Sequence, residues 1–404
     1  MGALASVAVR NILRNKRRTM LTLLAIILGV AATIFVHAFV GGFLGLITNV
    51  LVQGRVGAIQ VHRKGFLDAE TDPLRFDLPH DDALMQKLRA VPGVAEVTPR
   101  IVFEAMLSNG AQSTMALVTA VHPPLERRVC PQRWAAVRDK DFVPQRPGDS
   151  LVGRFLLEGL SAKDDDVLTM SATTQAGASN ALDLRVVSPL GTTDPLMSKR
   201  MVEVDLGYAQ ELLTMSGRVT EYAVALQPGA QIDVVAEGLR NALGPDMDVH
   251  TWLQLLPEVA DGVDSMGVVL WFVVALLFLL VLSGIANTML MAVHERTREI
   301  GTMLAMGIRR RQILGVFLVE SLALGVVGGV VGGILGFLIV SVTNHTGIPL
   351  KPPESEIDNF LRPATTVAFV LSTMAGAGIG AVIAAIQPAR RAARLSPVEA
   401  LRNE

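Results

Sequence analysis

The residues that could carry out chemistry are few in this 404-residue chain. A phosphate-binding loop requires a lysine directly after a glycine, and none of the seven lysines follows one. The seven histidines form no HExxH or other ligand-spaced pair. The single cysteine, Cys130, excludes an intramolecular disulfide and a cysteine-rich metal site. The sequence therefore predicts a protein that is not an enzyme, with no catalytic residue, no metal site and no cofactor bound by these residues.

Two short patterns imitate functional motifs. Gly376, Gly378 and Ala381 fit the G-x-G-x-x-A dinucleotide fingerprint. They lie inside an apolar run, whereas the fingerprint requires a preceding strand. Residues 164–166 are three consecutive aspartates, which suit either a metal site or a solvated turn between a helix and a strand. We interpret them as a turn, and we predict no nucleotide site in the glycine-rich pattern.

Four long apolar runs form the framework that must position any functional residue of the chain. Charged residues make up 18% of the chain, against about 25% in ordinary soluble proteins. A membrane-spanning helix needs about 20 apolar residues, whereas the apolar core of a signal peptide has about 7–15. We therefore interpret the first run as a span rather than as a cleaved signal. The predicted spans are residues 20–48, 265–293, 313–342 and 364–387.

Basic residues in the short connecting segments predict the orientation of the spans, because cytoplasmic loops carry an excess of lysine and arginine. Residues 1–19 hold five basic residues, residues 294–312 five and residues 388–404 four. Residues 343–363 hold only two, beside three acidic ones. Both termini and the 294–312 loop are therefore predicted to be cytoplasmic, and residues 49–264 and 343–363 extracytoplasmic.

The segment between the first two spans is long enough to form a large domain. Residues 49–264 alternate short apolar strands with amphipathic helices, without a clean βαβ repeat. We predict an α+β domain of two lobes, with residues 123–148 as a proline-rich linker and the second lobe beginning near Leu151. The predicted fold class is a membrane α-helical protein with four transmembrane helices and a large α+β extracytoplasmic domain.

Glycines recur at four-residue intervals in the last two spans. Gly325, Gly329 and Gly333 form one register of the third span, residues 328, 332 and 336 form another, and Gly376 and Gly380 repeat the spacing in the fourth. Small residues at this spacing let helix backbones approach closely in lipid. They are predicted to be helix-packing residues, either within the chain or between two copies of it.

One carboxylate, Glu320, lies inside the third span, nine residues after Arg311. At 1.5 Å per residue this places it roughly 13 Å along the helix. An ionisable residue inside a membrane is energetically costly and therefore suggests a function. The alternative is a structural group that pairs with the backbone or with Asn287 and Ser283 of the second span.

The loop between the second and third spans predicts a short amphipathic helix. Ile300, Met303 and Leu304 share one helical face, Arg296 and Glu299 share another, and Gly307 marks the end of the helix. Such a helix lies on lipid or fits a groove in a partner protein.

This loop also carries a family resemblance. The run E-R-T-R-E-I-G-T-M-L-A-M-G from Glu295 to Gly307, followed by F-L-V-E-S-L and a glycine-rich span, resembles the FtsX-like/MacB-type permeases of ABC transporters. Residues 387–402 (Q-P-A-R-R-A-A-R-L-S-P-V-E-A-L-R) resemble the C-terminal motif of the family. Residues 11–19 resemble its N-terminal elbow, and residues 88–100 and 151–168 its extracytoplasmic module. Length and topology are most similar to the lipoprotein-releasing, Lol-type permeases.

The resemblance implies that the loop is a coupling helix, which docks into a separate ABC ATPase that uses ATP and magnesium. The further partners that it implies are a second permease copy or paralogue, lipoprotein or lipophilic cargo, and a periplasmic chaperone or adaptor; no nucleic acid is expected. The implied location is the bacterial inner membrane. The coupling residues that it implies are Glu295, Arg296, Arg298, Glu299, Ile300, Gly301, Met303, Leu304 and Gly307.

The predicted function is a permease subunit of a mechanotransmission-type ABC transporter, which releases lipoproteins from the inner membrane through the work of the ATPase. Residues 188–200 fall where one such permease has a chaperone-binding hook, although the tyrosine-rich sequence of that hook is not present. Two alternatives remain open. One is a signalling permease that controls a cell-wall hydrolase, and the other is an efflux permease for a drug, peptide or lipid.

Overall fold

The computed structural model describes residues 16–67, 73–134, 137, 144–190, 195–350 and 359–395. The chain divides into two compact units. The described residues of the first are 16–45, 263–348 and 360–395, and the second lies within residues 46–262 and 349–359. Most of the predicted elbow, the end of the predicted tail and residues 351–358 of the predicted outer loop lie outside the described residues.

Within the described residues, four helices are long and apolar enough to cross a membrane, which confirms the predicted fold class. These are α1, α9, α11 and α12. Helix α9 begins ahead of its apolar run, at Pro257, because proline is well accommodated in the first turn of a helix. In chain order the helices are α1 (Lys16–Leu51), α2 (Asp82–Arg89), α3 (Pro123–Val129), α4 (Arg154–Gly159), α5 (Pro195–Ser198), α6 (Leu206–Leu213), α7 (Ile232–Ala242), α8 (Trp252–Leu255), α9 (Pro257–Glu295), α10 (Thr297–Ala305), α11 (Arg310–Thr346) and α12 (Val367–Ala393).

The strands of the second unit form one large sheet, with two short strand pairs elsewhere. The order in the large sheet is β11-β1-β10-β3-β4-β8-β5-β7-β6. In chain order the strands are β1 (Ile59–Arg63), β2 (Leu78–Pro79), β3 (Val94–Ser108), β4 (Ser113–Val121), β5 (Asp149–Gly153), β6 (Val167–Thr173), β7 (Ser179–Leu190), β8 (Met201–Asp205), β9 (Arg218–Val219), β10 (Glu221–Leu226), β11 (Met247–Thr251), β12 (Ile348–Leu350) and β13 (Asn359–Leu361).

The sheet has an open part and a closed part that share the long strand β3. The first half of β3 pairs with β10, and its last residues pair with β6. The pairings β3–β4–β8–β5–β7–β6 therefore return to β3 and close a barrel. In the open part, β1-α2-β3 and β10-α7-β11 are two β–α–β units of the split type. The expectation of no clean βαβ repeat was wrong, because the residues of the barrel separate the two units in the sequence.

The predicted linker also proved to be structured in part. Residues 123–129 form α3, and a 3-10 turn follows over Pro131–Trp134. Both place side chains in the interior, among them Glu126 and Trp134. The segment that corresponds in position to the hook begins inside β7, which continues to Leu190 because it pairs with β5. Residues 191–194 lie outside the described residues.

The glycine registers of α11 face two different neighbours within the chain. A Cβ atom on Gly332 would lie 2.8 Å from the carbonyl oxygen of Ile27 in α1. One on Gly329 would lie 2.9 Å from the carbonyl oxygen of Met374 in α12. The register of Gly325, Gly329 and Gly333 thus packs on α12, and that of residues 328, 332 and 336 packs on α1. Close backbone approach within the chain accounts for both registers.

The glycines of α12 contact α9 unequally. A Cβ atom on Gly380 would lie 2.7 Å from side-chain atoms of Leu282 and Phe278, whereas one on Gly376 would meet Phe278 at an ordinary 3.9 Å. Gly380 is therefore the tight position.

Candidate functional site

The predicted coupling segment folds as α10, which is held against its own helical unit. Ile300 and Gly301 are buried, and Met303 and Leu304 are partly buried against the same apolar cluster. Gly307, with a φ of 87°, ends the segment in the left-handed region, which glycine adopts without steric cost. The apolar face of α10 is therefore buried within the helical unit, and its role in coupling stays a prediction. A short amphipathic helix buries its apolar face where apolar surface is nearest, and here the bundle supplies it.

The outward face of α10 is polar with one exposed methionine. Glu295, Arg298 and Glu299 are exposed, and so is Met306, at 70% of its surface. Such a surface suits protein binding, because the charged side chains can pair with opposite charges of a partner and the methionine can insert into an apolar pocket. Of the residues predicted for coupling, those exposed to a partner are Glu295, Arg298, Glu299 and Gly307; Met306, which was not among them, is exposed as well.

Arg296 points in the opposite direction, into the helical unit. Its Nη1 atom lies 3.3 Å from Oε2 of Glu320, and the two residues are 5% and 2% exposed. Asn287 and Ser283, the partners considered from the sequence, are exposed on α9. A buried carboxylate requires an opposite charge more than a neutral amide, which is why Arg296 is the partner. The pair connects the corner between α9 and α10 to α11.

A second set of charges, which the sequence did not indicate, is buried in the second unit. Arg100 of β3 makes a bidentate contact with Glu126 of α3, at 2.6 Å (Nη2–Oε1) and 2.9 Å (Nε–Oε2). Its Nη1 atom lies 3.3 Å from Oε1 of Glu221 on β10. Arg133 Nη1 lies 3.2 Å from Glu126 Oε1 and 3.6 Å from Oε2 of Glu203 on β8. We call these five residues the buried charge cluster.

The buried charge cluster holds the chain where it leaves α1. Residues 52–56 form a π-helical turn, a geometry that is uncommon and often found at functional sites. Arg133 donates to the carbonyl of Arg55 at 2.6 Å, and Arg100 donates to the same carbonyl at 3.2 Å. Cys130 Sγ lies 3.4 Å from the carbonyl of Val52. The turn that continues from the first transmembrane helix is therefore fixed to β3 and to the 3-10 turn over Pro131–Trp134 by charged donors.

Two carboxyl groups of the cluster have pKa values that are shifted in opposite directions. Burial raises the pKa of Glu203 to about 8, despite the nearby Arg133. Burial also acts to raise the pKa of Glu221, but the hydrogen bond from His62 and the charge of Arg100 bring it below its ordinary value. Glu203 is thus mostly protonated at neutral pH, and two arginines then face the carboxylates of Glu126 and Glu221.

Cys130 belongs to the same surroundings. Burial raises the pKa of its thiol to about 11, so the thiolate that reacts with oxidants is scarce at neutral pH. Its role here is packing against the π-helical turn.

The signal for this cluster was present in the sequence but could not be assigned. Arg100, Glu203 and Glu221 each interrupt an apolar strand pattern. A charge in a buried strand must have a buried partner, but the spacing along the chain does not say which one. Glu126 and Arg133 fell in the segment taken as a linker.

The chain combines four transmembrane helices, a short charged helix between two of them and a large α+β domain. This combination defines a class of polytopic membrane protein with a large domain outside the bilayer. Residues 19–242 match the model of the MacB-like periplasmic core domain. Residues 271–397 match that of the FtsX-like permease C-terminal region. The chain belongs to the MacB-type family of FtsX-like permeases.

Two relatives match nearly the whole chain. A macrolide export ATP-binding/permease protein MacB of Agrobacterium fabrum is 28% identical, over 96% of this chain and 59% of its own length. A pyoverdine export ATP-binding/permease protein of Pseudomonas entomophila is 29% identical, over 96% of this chain and 58% of its own length. The chain thus spans somewhat more than half of the length of these relatives.

A solved structure also resembles part of the chain. The periplasmic region of MacB from Actinobacillus actinomycetemcomitans aligns with 54% of this chain and 98% of its own length, at 11% identity and a TM-score of 0.36.

Proposed function

We propose that this chain is the permease part of an ABC exporter whose ATPase moves the helical unit through α10. The observation that carries the proposal is the buried pair of Arg296 and Glu320, which connects α10 to a transmembrane helix. Leaving one member of a buried ion pair without its partner costs about 3–5 kcal/mol, because its charge is then uncompensated. A partner that displaces α10 therefore displaces α11 with it.

The motor is proposed to be a separate ABC ATPase that binds ATP and magnesium. Two observations support this. The relatives carry the name ATP-binding/permease protein, and no lysine in these residues follows a glycine. The outward face of α10, with Glu299 and Met306, is the proposed docking surface. A second permease copy would complete the complex, and the charge asymmetry of the loops supports a cytoplasmic location for α10 and both termini.

The second unit is proposed to be the part that acts on cargo, in the manner of mechanotransmission. The π-helical turn supports this role, because it continues α1 and is held by Arg100 and Arg133. Export of small molecules is the best supported cargo assignment, since the relatives are named for macrolide and pyoverdine export.

Release of lipoproteins is the second candidate, because the separate motor and the four-span topology are most similar to the Lol-type permeases. The two candidates, and control of a cell-wall hydrolase, differ in what travels with the complex. Purification of the full chain with its ATPase, followed by mass spectrometry of bound lipids, lipoproteins and small molecules, tests them. Small lipophilic molecules support export and acylated proteins support release. A bound hydrolase without cargo supports signalling, and recovery without an ATPase would contradict all three.

A further inference from the structure

A cavity of about 430 Å³ opens in the second unit beside the π-helical turn. Its walls come from the end of α1, from α3, from the end of β10 and from α8. The residues that line its apolar surface are Val52, Val129, Leu226, Ala230, Ile232 and Trp252. Cavities that hold drug-sized ligands have volumes of about 300–1,000 Å³ and mostly apolar walls with a few polar groups. This cavity has both properties.

The polar groups of the cavity are Thr48, Gln53 and Arg128. Nη1 of Arg128 lies 3.1 Å from Oε2 of Glu96, and the Arg128 side chain is 70% exposed. Water screens the exposed Arg128 side of this pair, whereas the Glu96 side chain is only 12% exposed. Glu96 also has a second partner, since Arg89 Nε lies 2.7 Å from its Oε1 atom. Arg128 can therefore turn to an incoming anion while Glu96 keeps a counter-charge.

The position of the cavity along the chain indicates where its ligand comes from. Thr48 ends the first apolar run, and Val52 follows within about one helical turn. These wall residues thus lie next to the segment that crosses the membrane. Molecules that partition into the bilayer surface have an apolar body and a polar group, which is the composition of the cavity wall.

We propose that this cavity binds an amphiphile with an apolar body and an acidic group, the acid paired with Arg128. The proposal rests on the export function, because it names a class of cargo for the same molecule. The occupant would contact Val52 and Val129, next to the contact of Cys130 Sγ with the Val52 carbonyl. A bound ligand would thus contact the π-helical turn that the buried charge cluster holds in place.

Trp252 permits a direct test in the full-length chain in lipid nanodiscs. The chain has three tryptophans, so Trp134→Phe and Trp271→Phe leave Trp252 as the only tryptophan, which is excited selectively over the two tyrosines. The probe is 9,10-dibromostearic acid, whose bromines quench a neighbouring indole. We expect saturable quenching, at least tenfold weaker in Ala230→Phe and in Ala225→Leu, which fill the cavity. Ala111→Phe, at the exposed turn between β3 and β4, is the matched control and should bind normally.

Arg128→Gln separates the charge from the apolar contact. It should weaken binding of the acid several-fold and leave binding of the methyl ester of the same probe unchanged. Equal quenching in Ala230→Phe, or quenching that grows linearly with probe, would overturn the proposal. So would quenching that appears only after a dimer is dissociated, because a second copy would then cover the cavity. The assay needs no ATPase, so an absence of ATP-dependent export would refute the proposed function and leave the binding result intact.

Discussion

Arg296 and Glu320 form an ion pair, 3.3 Å from Nη1 to Oε2, where α10 meets the helical unit. The two residues lie 24 positions apart and are both buried. This pair gives the intramembrane carboxylate a structural partner that belongs to the coupling segment itself. The contact with Arg296 therefore bears on both interpretations of Glu320, as a structural group of the bundle and as a functional group in coupling.

The strength of this contact can be measured with a double-mutant cycle. Glu320→Ala or Arg296→Ala alone should destabilise the chain by about 3–5 kcal/mol, since each leaves a buried charge without its partner. The double variant should lose clearly less than the sum. Thermal unfolding of the purified full chain reports these changes. Effects that add to within about 0.5 kcal/mol would show that the two side chains do not interact.

The exposed face of α10 should act in coupling and not in folding. Glu299→Ala and Met306→Ala should leave the unfolding temperature unchanged and should reduce ATP-driven export by the assembled complex, since both side chains are exposed. Ile300→Ala is the matched variant on the buried face and should lose about 2–5 kcal/mol of stability. Full export in both exposed variants would remove this face as the docking surface. A bulky residue at the buried Gly301 would be a poor test, because it would disturb the fold.

Glu203 should make stability depend on pH. Its pKa in the folded chain is about 8, against an ordinary value of 4.5. Between these values the folded state keeps a proton that the unfolded chain releases, so stability falls as pH rises from about 5 to 8 and levels off above. The loss is at most about 1.4 kcal/mol per pH unit.

Glu203→Gln supplies the comparison for this titration, because glutamine cannot ionise next to Arg133, Glu126 and Arg100. The unfolding temperature of wild type, relative to that of the variant, should decline from pH 5 to pH 8. Curves that run parallel across this range would mean that Glu203 titrates normally.

The two glycine environments of α11 should differ in their tolerance of a methyl group. Gly332→Ala should cost about 1–3 kcal/mol, because the new Cβ would lie 2.8 Å from the Ile27 carbonyl oxygen and must push α1 away. The same change at Gly315, where the described structure leaves the space around a Cβ open, should be neutral or stabilising by up to about 1 kcal/mol. Equal thermal stability of the two variants would contradict the packing described here.

The sequence by itself determined the four spans and the large α+β domain between the first two. Each span depends only on the local apolar run, such as residues 313–342, whose length must match the bilayer. The four-residue glycine spacing and the segment from Glu295 to Gly307 were recognisable for the same reason.

Only the tertiary structure decided which partners those residues meet. The sequence did not show that Ile300 faces inward, that Gly332 lies on α1 while Gly329 lies on α12, or that Arg296 is the partner of Glu320. It also did not show that Arg100 reaches Glu126 and Glu221, from which it is separated by 26 and 121 positions. A charge buried in an apolar pattern requires an opposite charge nearby. Which residue supplies that charge depends on how distant segments pack, and local patterns do not encode it.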